Sequence, residues 1–239
     1  MGKEPKYLFH YTNIETLAYI LKNKAMKFNS LLNVDDLMEC KTKDLGDFGR
    51  FCYVSCWTDR EEENIALWSM YSQRGHGIRI RMKANPFKEE LYDVQADKYI
   101  RIPKEGYALD SVTYVTGDNM LIPNVNYATS SNPRDIAIGL TCFVKNICWQ
   151  FQNEWRYSLA YIPQIMYTEK AMLMTIDSYP PIKKEIYVTI DKLALEDMEI
   201  LMGPMTDEAD EIIVDALLRK FKIRASVKKS ELKDIVNFK

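Results

Sequence analysis

Residues Trp149–Ile162 read WQFQNEWRYSLAYI. The segment begins crowded with polar groups and ends as a plain strand, and where the strand starts decides which side chains share a face. In an extended chain, residues two apart point the same way. Read as strand throughout, Gln152, Glu154 and Arg156 project together, with Trp155 and Tyr157 on the opposite face. An amide, a carboxylate and a guanidinium on one face form either a structural ion pair or the working end of a site. A close Arg lowers a Glu pKa by roughly 1–3 units and holds it ionised at neutral pH. An exposed pair of this kind contributes little to stability.

Upstream of this segment, strands and short helices follow one another by hydrophobic period. KYLFHY is a strand. Thr12, with Glu15 three residues on, has the pattern of a capping box before IETLAYILKN, whose apolar face is Ile14, Leu17, Ala18 and Leu21. MKFNSL is a short strand, NVDDLMECK a brief helix capped by Asn33, and RFCYVSCWT (50–58) a strand. ENIALWSMYS spaces Ile65, Trp68 and Tyr71 as a short helix. GIRIRM is a strand, and two or three more strands fall within residues 90–116. In NPRDIAIGLTCFVKN, Asn132 as cap and Pro133 at the first helical position start a helix.

Downstream, EIYVTI and EILMGP are strands. Thr206 caps a helix with acidic first turns and Arg219, Lys220 at its end, an order that complements the helix dipole. Its apolar stripe is Ile212, Ile213, Ala216, Leu217 and Phe221. IRASVK closes the series. Strands outnumber helices and do not alternate strictly with them. The expectation is therefore an α+β fold, with a mainly antiparallel split sheet or β-sandwich core flanked by helices. The 239 residues suit a single domain, 1–239.

Hydrophobic residues make up 47% and charged residues 28%, ordinary values for a soluble globular chain. The 32 Lys+Arg against 34 Asp+Glu leave a net charge of −2, so no global attraction to nucleic acid or membrane is expected. The basic stretches KYIRIPK and KFKIRASVKK read as solvated strand faces. MGKEPKYLFHYT has no apolar leader segment, and no apolar run approaches the roughly 18 residues of a membrane span, so a cytoplasmic protein is expected. Pro5 and Lys6 stand where a myristoylation signal needs Ser or Thr. Of the 5 cysteines, Cys52 and Cys56 lie four apart on one strand, about 13 Å, too far to bridge. With only His10 and His76 to join them, no metal site is expected. Neither GxGxxG nor GxxxxGK[ST] occurs, so a nucleotide has to be held by side chains.

Two further clusters stand out. His10 shares a strand face with Leu8 and Thr12, while Tyr7, Phe9 and Tyr11 face the other way. Tyr53, Ser55 and Trp57 share a face, and Trp68 and Tyr71 can lay a flat π surface beside them. A satisfied structural histidine and packed core aromatics are the plain alternatives.

Taken together, HYT, then YVSCWT…LWSMYSQRGHGI, then Lys145-x-x-x-Trp149…EWR resemble the bacterial domain-of-unknown-function family 2971. Its members open with HYT, carry a W-x-x-Y…H-x-G block and end in a K…W…E-x-EWR block. The chain keeps Trp68, Tyr71, His76, Gly77, Lys145, Trp149, Glu154, Trp155 and Arg156, over residues 7–162, and has Gln152 where Glu is usual. Residues 163–239 are expected to complete the sheet and add a C-terminal helix.

The order of parts is also similar to the ADP-ribosyltransferase superfamily. That resemblance implies NAD as substrate and no metal. Glu154 and Gln152 are the implied catalytic pair, and His10, Tyr11, Thr12, Tyr53, Ser55, Trp68, Tyr71 and Arg156 the implied NAD contacts. Breaking the nicotinamide–ribose bond passes through an oxocarbenium-like state, which an ionised carboxylate stabilises. Glu154 would accept from the ribose 2′-hydroxyl and His10 would touch the adenosine-side ribose. Tyr71, with Tyr53, would stack on nicotinamide and Gln152 would meet the acceptor.

The implied activity is an NAD-dependent ADP-ribosyltransferase or NAD glycohydrolase of bacterial conflict or phage defence, its acceptor protein, nucleic acid or water. The alternative is a non-catalytic module of the same fold that binds a nucleotide or a nucleic-acid end. Phosphotransfer on RNA, a third option, needs further basic and His residues, of which only His76 is left over. Either nucleotide reading requires His10, Ser55, Tyr71 and Glu154 to line one cleft. The Met-rich segment 165–181 is expected to be a flap or a contact surface.

Overall fold

A computed structural model describes residues 4–91, 98–127, 135–164 and 179–238. In chain order its elements are β1 (Tyr7–Thr12), α1 (Ile14–Asn23), β2 (Ala25–Ser30), β3 (Cys52–Thr58), α2 (Ile65–Tyr71), β4 (Ile78–Lys83), β5 (Phe87–Leu91), β6 (Tyr99–Ile102), β7 (Ala108–Ser111) and β8 (Thr113–Val115). There follow α3 (Asp118–Leu121), β9 (Asn126–Tyr127), β10 (Asp135–Ile136), α4 (Ile138–Cys142), β11 (Val144–Asn146), β12 (Glu154–Pro163), β13 (Glu185–Ile190), α5 (Lys192–Glu196), β14 (Glu199–Met202), α6 (Glu208–Phe221) and β15 (Ser226–Lys229). The fold is α+β. An 11-stranded sheet runs β15-β14-β4-β1-β3-β2-β13-β5, with β12 branching from β3 and carrying β6 and β7. Its pairings are antiparallel except β14 with β15. Among the described residues no helix is long and apolar enough to cross a membrane.

The sheet forks at β3. One edge of β3 pairs continuously with β12, from Thr58↔Glu154 to Cys52↔Ala160. Two strands share the other edge. β1 meets it only at Phe9↔Thr58, and β2 only at Asn29↔Val54 and Ser30↔Tyr53. Between those contacts, Ser55, Cys56 and Trp57 have no strand neighbour on that side. β1 leaves with β4, to which it pairs along its whole length, and β2 leaves with β13. The β-branched and aromatic content of CYVSCWT, buried along almost its whole length, is what a strand covered on both faces requires.

The buried side chains form three clusters, the largest of them spanning both arms of the fork. Leu17 and Leu21 of α1, Val214 and Leu218 of α6, and Leu8, Phe28, Ile80, Tyr157 and Val188 of the sheet form the larger cluster. Phe48, Phe51, Cys52, Cys142 and Ile162 form a second. Tyr11, Leu67, Trp68 and Leu201 form a third beneath α2. Each such buried aliphatic or aromatic side chain contributes about 1.5–3 kcal/mol.

Several local expectations are corrected. Thr12 is still in the ladder, opposite Ile78, so the cap of α1 falls on Asn13, whose side chain accepts from Thr16 N at 2.7 Å. Asp207, not Thr206, caps α6, in a reciprocal capping box with Asp210, while Thr206 Oγ1 donates to Gly203 O. α6 turns Val214 and Leu218 inward and leaves Ile212 and Ile213 exposed at 61% and 47%. NVDDLMECK does not form a helix. Residues Leu31–Asn33 make a 3-10 turn, and Asp36 Oδ1 accepts from Met38 N at 3.0 Å, a local bond that competes with helix formation. Asn132 and Pro133 lie outside the described residues, but Asp135 and Ile136 are strand and the helix begins only at Ile138. Met1, Gly2 and most of 165–181 also lie outside. All five cysteines are free.

Candidate functional site

The fork encloses a cavity of about 320 Å³, lined from β1 by His10, Tyr11 and Thr12, from β2 by Lys27 and Asn29, and from β3 by Ser55, Cys56 and Trp57. That volume is at the lower end of small-molecule pockets. Tyr71 of α2 and the Val34–Asp35 turn close one side, and Lys145, Gln152, Glu154 and Arg156 form the far wall.

The crotch is held by a side chain in place of a strand. His10 Nδ1 lies 2.8 Å from the carbonyl oxygen of Cys56, on the edge of β3 that neither arm covers. A carbonyl only accepts, so the proton sits on Nδ1 and Nε2 is left as an acceptor. The imidazole also lies 5.1 Å from the Trp57 ring. Burial lowers the His10 pKa, against the Cys56 hydrogen bond and with the nearby Lys27 charge, so at neutral pH the ring is uncharged.

The far wall is a buried network of four charges. Arg156 Nε donates to Glu154 Oε1 at 2.7 Å and Nη2 to Oε2 at 3.1 Å. Lys145 Nζ lies 3.2 Å from Glu154 Oε2 and 3.2 Å from Glu39 Oε1. Arg156 Nη1 also pairs with Glu39 Oε2 and donates to Cys142 O. Two carboxylates meet two cations, and each side chain is at most 5% exposed. Burial alone would push the Glu154 carboxyl up; the Arg156 and Lys145 charges overturn this and hold it at about 2. Lys145 loses stability as a cation by burial but is pushed up by Glu154 and Glu39. Cys56 is raised by burial and by Glu154, so its thiol stays protonated.

From this wall a chain of hydrogen bonds reaches the mouth. Lys145 Nζ donates to Gln152 Oε1 at 2.9 Å, Gln152 Nε2 to the Tyr71 hydroxyl at 2.8 Å, and that hydroxyl to Asp35 Oδ2 at 2.9 Å. Burial and Asp35 raise the Tyr71 pKa, so the phenol stays neutral and presents its ring to the cavity.

Gln152 reaches this wall by an unexpected route. It ends a 3-10 turn, Ile147–Gln152, and Asn153 follows in the left-handed region at φ 42° before the strand opens at Glu154. Alternation along a strand therefore does not place Gln152 beside Glu154; the turn and Lys145 do. Two other expected contacts are absent from the cavity. Tyr53 is fully buried in the core, its hydroxyl donating to Lys183 O at 2.7 Å. Trp68 is fully buried under α2, edge-on to Tyr11, its Nε1 donating to Glu63 Oε2 at 2.8 Å. Tyr53 sits on a strand buried along almost its whole length, and Trp68 on the inward side of a helix whose Ile65 and Met70 are exposed.

His10, Tyr11, Thr12, Ser55, Tyr71, Gln152, Glu154 and Arg156, drawn from four separate stretches, do line the one cavity. Glu39, Asp35, Lys27 and Asn29 were missed. Glu39 lay in a stretch read as a short helix, and nothing local marks an acidic residue that pairs more than a hundred positions away. Among the described residues no group of His, Cys, Asp and Glu has the arrangement of a metal site. No family model, no curated protein and no solved structure matches this chain.

Proposed function

We propose that this protein is an NAD-dependent ADP-ribosyltransferase or NAD glycohydrolase, acting in the cytoplasm in bacterial conflict. The supporting observation is that His10, Ser55, Tyr71 and Glu154, far apart in sequence, line one cavity at a fork in the sheet. Independent core or surface residues have no reason to converge in this way. The uncharged His10 offers Nε2 to a ribose hydroxyl. The Tyr71 ring offers a stacking surface to a planar base. Glu154, held ionised, faces the ribose carbon that becomes cationic as nicotinamide departs. Gln152, tied between Lys145 and Tyr71, orients the wall toward the acceptor, which is a protein, a nucleic acid or water.

Purified protein incubated with NAD should release nicotinamide, measured by chromatography. Tyr71→Phe keeps the ring and should retain release, whereas His10→Ala should reduce it. Glu154→Gln, checked for native circular dichroism, should lower the rate on the order of 100- to 1,000-fold. Intact NAD after long incubation with excess protein and lysate acceptors would sink the enzyme reading.

One observation favours the second reading, a non-catalytic module that binds a nucleotide or a nucleic-acid end. Both Glu154 oxygens already accept from Arg156, and one also from Lys145, so the charge available to a developing cation is largely offset. Tight binding of NAD or ADP-ribose without turnover is the outcome that selects it.

A further inference from the structure

The fork leaves hydrogen-bonding capacity that no group among the described residues takes up. In a strand, the N–H and C=O of one residue point to the same edge. The Cys56 carbonyl points into the fork, where it meets His10, so the Cys56 N–H points there too, and neither β1 nor β2 pairs with Cys56. Ser55, 3% exposed, accepts from Trp57 Nε1 at 3.0 Å and keeps its own proton to give. Thr12 is 6% exposed and lines the same space. On the β2 arm, the Asn29 side chain lines the cavity half-buried and makes no hydrogen bond among the described residues. Every one of these groups is uncharged. An amide in that position offers one donor and one acceptor side by side, the complement of a ligand that carries C=O and N–H together.

We propose that Asn29 is a specificity-determining residue. It pairs with the amide edge of a neutral planar heterocycle seated in the fork, on the sheet face that Asn29 shares with Cys56 and Glu154, with the Cys56 N–H as a further donor to the ligand carbonyl. The charges at the far wall are spent on one another, Asp35 accepts from Tyr71, and Lys27 on the β2 arm pairs with Glu185 at 3.6 Å, so hydrogen-bond pattern is left to set the selectivity of the fork. This rests on the NAD reading for the identity of the heterocycle, the pyridine carboxamide. The role of Asn29 is separable from whether NAD is cleaved.

The test uses two free pyridines, nicotinamide and 3-acetylpyridine, which differ by NH₂ against CH₃ next to the same carbonyl. Their affinities are measured by titration with ligand-observed NMR on the full chain and on Asn29→Leu and Asn29→Asp. Because the Asn29 side chain makes no hydrogen bond among the described residues, neither change takes a partner from a buried group, and both variants should fold; thermal melts check this. One neutral hydrogen bond corresponds to a preference of about 3- to 10-fold. The wild-type chain should favour nicotinamide by that factor, and Asn29→Leu should bring the ratio to about one. In Asn29→Asp, which accepts but does not donate, both pyridines should bind more weakly while nicotinamide stays preferred. A ratio unchanged in Asn29→Leu, or no binding of nicotinamide by the wild type at millimolar concentration, overturns the assignment. NAD cleavage is followed in parallel. Cleavage with an Asn29-independent ratio removes this inference and leaves the enzyme reading. An Asn29-dependent ratio without cleavage keeps the inference and leaves the binding module.

Discussion

Glu154 has two jobs that pull against each other. It faces the cavity, and it also neutralises Arg156, which is fully buried. Breaking a buried ion pair by removing one partner costs about 3–5 kcal/mol, because a charge is left without compensation. Glu154→Ala should therefore lower stability by that amount in urea unfolding, and a loss of activity in that variant says nothing about chemistry until folding is checked. A change below about 1 kcal/mol would mean that Glu39 alone satisfies Arg156. The same residue sets a pH dependence. Its folded pKa of about 2 lies below the ordinary 4.5, so ionisation favours the folded state. That contribution, about 3 kcal/mol from the size of the shift, is fully present above the unfolded value. It is lost as pH falls from about 4.5 toward 2. Melting temperature should drop steeply across that window in the wild type, and much less in Glu154→Gln.

At the scale of elements, α2 shows how a cap can position a site. Asn64 accepts from Ala66 N and Leu67 N at 2.9 and 3.2 Å, and its Nδ2 donates to Phe151 O at 2.9 Å. One side chain thus starts the helix that carries Tyr71 and pins the turn that carries Gln152. Asn64→Ala should cost about 1–2 kcal/mol as a lost cap. It should also weaken ligand binding, whereas the exposed Ile65→Ala should leave affinity unchanged. Titration of the two variants checks this, and equal affinities would mean the turn is held by its other contacts. Most elements here were legible in the sequence, because strands such as CYVSCWT and helices such as IETLAYILKN are marked by their own composition and period. Their ends were less so. Thr12 and Asn13, or Thr206 and Asp207, are equally good caps on paper, and cross-strand pairing of Thr12 decided the first. Gln152 was placed with Glu154 for the wrong reason, since a left-handed Asn153 between them is invisible to a period-two reading. Glu39 depends on partners brought in by the fold, and Asn29 on the gap that the fold opens beside it, so no local pattern could mark either.

At the scale of the molecule, the fork is the consequential feature. A continuous sheet would satisfy the β3 edge with a strand; here His10 and an open cavity stand in its place. Such a gap leaves the Cys56 N–H without a strand partner and the Asn29 side chain without a hydrogen bond among the described residues, and polar groups left unanswered where water is excluded are costly. A ligand that answers them binds the folded chain and not the unfolded one, so it must stabilise. At a concentration of 100 times its Kd the gain is about 2.7 kcal/mol, which for a chain of this length corresponds to a rise in Tm of about 5–10 °C. NAD or ADP-ribose should produce that rise in the wild type. His10→Ala should produce less, because losing the imidazole frees the Cys56 carbonyl as well as a ligand contact. A Tm that does not move with either nucleotide over a wide concentration range, while the chain melts cooperatively, would rule out both as occupants of the fork and with them the enzyme reading, leaving the binding module only for another nucleotide or a nucleic-acid end.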